Sequence, residues 1–109
     1  MNQIIETMIE QVNQKPKNEP LRLLTALQAD HMAYSNTEKS LKFKVKGDRK
    51  DINTVVVKYD EGIDLYDIEF HMCKILRKYP YIINEKRDEI KGVYFDQLTD
   101  LIWKRCVIV

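Results

Sequence analysis

Residues 54–70 read Thr54-Val55-Val56-Val57-Lys58-Tyr59-Asp60-Glu61-Gly62-Ile63-Asp64-Leu65-Tyr66-Asp67-Ile68-Glu69-Phe70, and the fold turns on this stretch. Its first six residues are β-branched or aromatic apart from Lys58, which suits a pleated, half-buried surface. Asp60-Glu61-Gly62 is polar and ends in a glycine, so a hairpin connection is expected there. The segment beyond this turn admits two periods. Tyr66, Ile68, Phe70 and Met72 alternate as in a strand, whereas Leu65, Ile68, Met72, Ile75, Leu76 and Tyr79 fit a helical stripe that Pro80 would end. The strand is preferred over residues 63–72, because a hairpin turn precedes it and Tyr66, Ile68 and Phe70 are good strand formers.

Upstream, Leu41, Phe43 and Val45 alternate with Lys42, Lys44 and Lys46, the pattern of another half-buried strand, and Gly47-Asp48 marks a turn. Downstream, Tyr81-Ile82-Ile83 predicts a fourth strand, with residues 84–89 as its exposed continuation or a loop. Helices are expected at both ends. Ile5, Met8, Ile9 and Val12 give a helical stripe over residues 2–14, followed by a hinge at Lys15-Pro16-Lys17-Asn18-Glu19-Pro20. Pro20 then opens a second helix carrying Leu23, Leu24, Leu27, His31 and Tyr34 on one side, which residues 36–40 end. Tyr94, Leu98, Leu101, Ile102 and Cys106 define a closing helix with Asp96 in its first turn. The expected fold is α+β: two N-terminal helices, an antiparallel meander of three to four strands, and a C-terminal helix packed on the sheet.

Composition bounds the function. The 109 residues carry 18 Lys+Arg and 17 Asp+Glu, and 44% are hydrophobic with only 3 Gly and 3 Pro, so residues 1–109 are read as one ordinary folded domain. Two cysteines are too few for a disulfide framework, and no run approaches the ~20 apolar residues of a membrane span. The opening Met1-Asn2-Gln3-Ile4-Ile5-Glu6 lacks the basic and apolar regions of a signal peptide, so a cytoplasmic location is expected. With Gly47, Gly62 and Gly92 as the only glycines, neither nucleotide-binding glycine motif can be written.

The charge is arranged in blocks. Residues 39–50 hold Lys39, Lys42, Lys44, Lys46, Arg49 and Lys50 against Asp48 alone, a net of +5. Alternation aims Lys42, Lys44 and Lys46 at solvent about 7 Å apart, a spacing suited to tracking phosphates. The same lysines also suit an edge strand guarded against aggregation, or cross-strand pairing with an acidic neighbour. Residues 60–69 hold Asp60, Glu61, Asp64, Asp67 and Glu69 with no basic residue, a net of −5. On a strand, Asp67, Glu69 and His71 share one face, an arrangement that resembles divalent-metal nuclease sites, although one large class has Lys where His71 stands. Two Cys and two His are formally enough for zinc, but His71-x-Cys73, His31 and Cys106 have no ligand spacing. No metal ligand, catalytic residue or cofactor is therefore assigned. Six Tyr, three Phe and Trp103 exceed what a small core buries easily, and Trp103 falls beside the last helical stripe, where an interface anchor would sit.

The strings Tyr59-Asp60-Glu61-Gly62-Ile63-Asp64-Leu65-Tyr66-Asp67-Ile68-Glu69-Phe70 and Gly92-Val93-Tyr94-Phe95-Asp96-Gln97-Leu98 resemble, over the second half of the chain, a pattern in small proteins of bacteriophages and related mobile elements. The resemblance implies a strand in a hairpin for the first and the start of the final helix for the second. It implies a context too, in which binding to a host or phage macromolecule is commoner than catalysis. The expected function is a non-catalytic binding protein that modulates such a machine, for example as an anti-defence inhibitor of the anti-CRISPR type. In that form Asp60, Glu61, Asp64, Asp67 and Glu69, with Trp103, meet a basic groove on a protein partner. The alternative is a nucleic-acid-binding regulator using Lys42, Lys44, Lys46, Arg49 and Lys50, as a homodimer if the N-terminal helix packs in trans. A small metal-dependent nuclease is the third. No membrane partner is expected.

Overall fold

A computed structural model describes residues 3–47, 51–76 and 81–107. Five strands, β1 (Asp30–Ser35), β2 (Ser40–Lys44), β3 (Thr54–Asp60), β4 (Leu65–Leu76) and β5 (Tyr81–Val93), form one antiparallel sheet in the order β1-β2-β3-β4-β5. Helix α1 (Gln3–Val12), the single turn α2 (Leu23–Ala26), a 3₁₀ turn (Phe95–Gln97) and helix α3 (Leu98–Val107) complete the α+β fold. Among the described residues no helix is long and apolar enough to cross a membrane.

The hairpin that decides the fold forms as its alternation requires. Thr54 pairs with His71, Val55 with Phe70, Val57 with Ile68 and Tyr59 with Tyr66. One face of the sheet is therefore apolar, with Leu41, Phe43, Val55, Val57, Ile68 and Phe70 fully buried. Ile5, Met8 and Val12 of α1 and Leu98, Ile102 and Cys106 of α3 close over it. Thr99 ties the two helices by donating its hydroxyl to the Val12 carbonyl at 2.8 Å. The two-proline segment is held by the Lys17 amide on Asp100 Oδ1 at 2.9 Å and the Leu23 amide on the Gln14 carbonyl at 2.9 Å. Arg105 joins α3 to β5 through an ion pair of 2.6 Å with Asp88.

Three expectations need correction. The second helix does not run from Pro20 to Tyr34: it stops after one turn, because Gln28 takes a left-handed φ of 50°. Its amide bonds the Thr25 carbonyl while the Ala29 amide bonds that of Leu24, a Schellman closure. His31 and Tyr34, assigned to the helical stripe, stand exposed on the edge strand β1, where two residues bulge opposite Phe43. The meander has five strands rather than three or four, and the fourth expected strand continues through the charged residues 84–89 to Val93. Strand β5 is an edge, so hydrogen bonding to β4 fixes its backbone while residues 84–92 stay exposed or half-exposed. The closing helix begins at Leu98, leaving Tyr94 60% exposed and Asp96 in the 3₁₀ turn.

Gly47 fixes where the end of α3 can lie. A Cβ there would stand 2.3 Å from the Cys106 carbonyl oxygen, whereas one at Gly62 would meet only Asp60 Oδ1 at 3.2 Å. Gly47→Ala is expected to lower unfolding free energy by about 1–3 kcal/mol in urea denaturation, with Gly62→Ala within about 0.5 kcal/mol of wild type.

Candidate nucleic-acid interface

The pleat that buries Leu41 and Phe43 turns Lys42 and Lys44 to the face of the sheet that no helix covers. Beyond the strand, the Val45 amide bonds the Asn53 carbonyl and the Lys46 amide bonds the Leu27 carbonyl, which carries the extended course on to an exposed Lys46. None of these three lysines forms an ion pair among the described residues. Lys39 does, turning to Glu61 at 2.6 Å, and so does Lys58 of β3, which meets Glu69 at 2.9 Å. Arg49 and Lys50 lie outside the described residues.

A hollow of about 380 Å³ opens beside the row, lined by Gln28, Asp30, His31, Lys44, Lys46 and Asn53. His31 Nδ1 lies 2.6 Å from Asp30 Oδ1, and this hydrogen bond, with the charges of His31, Lys46 and Lys44 behind it, holds the Asp30 carboxyl below its ordinary range despite some desolvation.

The acidic block does not lie together as one surface. Asp60 accepts the Gly62 amide at 2.9 Å inside the turn, Glu61 is paired to Lys39, Asp64 accepts the Tyr59 hydroxyl at 2.5 Å, and Asp67 accepts the Gly92 amide at 3.1 Å. Glu69 is the most enclosed, 9% exposed on the open face. Its Oε2 receives Lys58 and its Oε1 lies 2.8 Å from His71 Nε2; His71 Nδ1 in turn lies 2.8 Å from Asn84 Oδ1. Asp67, Glu69 and His71 thus share a face as their spacing requires, but the cation beside Glu69 is the Lys58 ammonium. Among the described residues no three His, Cys, Asp or Glu side chains are grouped to hold a metal ion. Cys106 is buried and Cys73 half-buried. Trp103 is half-buried against the core rather than standing clear of it.

Compared with protein-family models, with curated proteins and with solved structures, the chain matches none.

Two features escaped the sequence. Asn53 extends β3 by its side chain, since its amide nitrogen donates to the Cys73 carbonyl at 2.8 Å and its Oδ1 accepts the Cys73 amide at 2.9 Å. On the helix-covered face, Tyr59, Tyr66 and Phe95 line a cavity of about 420 Å³ together with Asp64 and α1. The signal for it was available: Tyr59 and Tyr66 flank the hairpin turn at equal distance, which makes them a cross-strand pair.

Burial disfavours the Glu69 carboxylate, but the hydrogen bonds from Lys58 and His71 outweigh this and bring its pKa below the ordinary 4.5. A carboxyl lowered by folding contributes stability that is complete above its unfolded value and is lost as pH falls through the folded one. Glu69→Gln is therefore expected to be about 1–3 kcal/mol less stable than wild type at pH 7, with the gap narrowing below pH 4.5 in denaturation series. Parallel pH profiles would contradict the role given to Glu69.

Proposed function

We propose that this protein is a non-catalytic binding protein that holds a nucleic-acid backbone along Lys42, Lys44 and Lys46. The observation that carries this reading is the division among the lysines. Lys39 and Lys58 are paired with Glu61 and Glu69, whereas the alternate lysines of β2 and its extension form no ion pair among the described residues, the nearby Asp30 being bonded to His31 instead. Unpaired cations in an extended row release counterions from a phosphate chain, which gives affinity without base recognition. Lacking an aromatic platform on that strand, the row fits backbone contact rather than base stacking. Retardation of labelled DNA or RNA should weaken as salt rises, and Lys42→Gln/Lys44→Gln should reduce the slope of log K against log salt by about 2, one unit for each lost contact. Absence of binding at low salt, or an unchanged slope, would count against it.

A second reading, occupation of a surface on a host or phage machine, is favoured by a different observation. Ile63, Tyr94 and Phe95 are 61%, 60% and 60% exposed, and aromatic residues standing in water are the usual anchors of protein interfaces. In this reading Tyr94 and Phe95 take the anchoring role expected of Trp103, and the acidic run contributes through Asp64, which has no basic partner among the described residues. Affinity purification from the protein's own cells should recover a partner with wild type that Tyr94→Ala/Phe95→Ala, folded by circular dichroism, fails to recover; equal recovery would exclude those anchors.

A further inference from the structure

The cavity on the helix-covered face is built by the hairpin end of the sheet and one side of α1 from Gln3 to Gln11. Tyr59 and Tyr66 lie directly opposite in register, their ring centroids 5.0 Å apart and their planes tilted by 42°. The Tyr66 hydroxyl donates to Gln11 Oε1 of α1, and the Tyr59 hydroxyl donates to Asp64 Oδ1, so both rings are fixed by partners on two different elements. Phe95, from the 3₁₀ turn, supplies the third aromatic wall. Among the described residues, Asp64 is the one charged side chain that lines this cavity, and no basic side chain does. Its backbone is left-handed, φ 53°, which holds the carboxylate against the rings instead of letting it follow the strand.

Aromatic faces carry a negative quadrupole, and a carboxylate beside them adds a full charge, so the cavity attracts a cation and repels an anion. The phenols register the same field. Its hydrogen bond to Asp64 first, then desolvation and the charges of Asp64, Glu61 and Asp60, raise Tyr59 above its ordinary value; burial first, then Tyr59 and Asp64, push Tyr66 up to about 12. Among cations, a guanidinium is planar, weakly hydrated, stacks on rings and pairs with a carboxylate. Ile63 and Tyr94, the chain neighbours of Asp64 and Phe95, are exposed apolar residues suited to covering a polypeptide rather than a small solute.

We infer that this cavity is a docking site for an arginine side chain of a partner polypeptide, held between Tyr59, Tyr66 and Phe95 and paired with Asp64. The site lies across the sheet from the lysine row and stands or falls independently of nucleic-acid binding.

The test is an amide NMR titration at fixed ionic strength with the capped tripeptide acetyl-Gly-Arg-Gly-amide, beside the same peptide carrying neutral citrulline. Saturable shifts at Asp64, Tyr66 and Phe95 are expected with arginine only. Asp64→Asn keeps the left-handed backbone, which Asn tolerates, and Phe95→Ala alters an exposed ring, so both should fold; each should weaken the arginine peptide by at least about threefold. Equal shifts with citrulline, or undiminished affinity in either variant, would overturn the site. Free argininamide binding as tightly as the peptide would overturn its assignment to a polypeptide.

Discussion

Strand β4 is the member on which the rest of the molecule depends. It is hydrogen-bonded on both sides, to β3 from Leu65 to His71 and to β5 from Tyr66 to Leu76. Its inward residues Tyr66, Ile68 and Phe70 are core, and its outward residues Asp67, Glu69 and His71 are the polar array. A slip of one residue would send both sets to the wrong face, placing Phe70 in water and Glu69 among hydrocarbon. Register is thus specified twice, once by apolar burial and once by the partners waiting for Glu69 and Asp67. Helices α1 and α3 then have only one face to cover, and the lysines of β2 are left on the other.

Charge follows from the same register. A balance of 18 basic and 17 acidic residues had the look of a neutral protein. Folding cancels it selectively: Glu61 takes Lys39 from the basic block, Glu69 takes a lysine from outside it, and Asp60 and Asp67 bond to backbone amides. Of the two blocks, the described residues left without an ion pair or a backbone amide lie apart, Lys42, Lys44 and Lys46 on the open face and Asp64 exposed at the hairpin end. A molecule with almost no net charge therefore offers two regions of opposite electrostatic preference.

How much of this the sequence showed depends on whether local pattern or distant pairing decided it. The alternation at residues 41–46 and the β-branched run at 54–59 were legible, because one apolar face imposes period two, and so was a turn after them, although it falls at 61–64 rather than 60–62. Residues 65–76 fitted both periods, and the preceding turn resolved them correctly. Strand β1 was not legible: Leu23, Leu24 and Leu27 start a helical stripe, and what stops it is a backbone closure at Gln28, a residue type with no preference for that role. The length of β5 was hidden because an edge strand needs no apolar alternation. That Asp67, Glu69 and His71 share a face was legible from spacing; that Lys58 stands beside Glu69 was not, since it requires the register of two strands. Tyr94, assigned to the core stripe, is exposed because the helix starts at Leu98 after a 3₁₀ turn, and Trp103, read as lying beside that stripe, is half-buried against the core.

The side chain of Asn53 has a consequence for cooperativity. By bonding both backbone groups of Cys73 it finishes the β3 edge of the ladder one step beyond the strand itself. From Lys74 to Leu76, β4 pairs only with β5 among the described residues, as a two-stranded ribbon rather than a sheet. Ribbons of that kind have little stability of their own. Asn53 thus marks where pairing on both sides of β4 gives way to pairing on one side, so the amides beyond it are expected to open more readily than those before it.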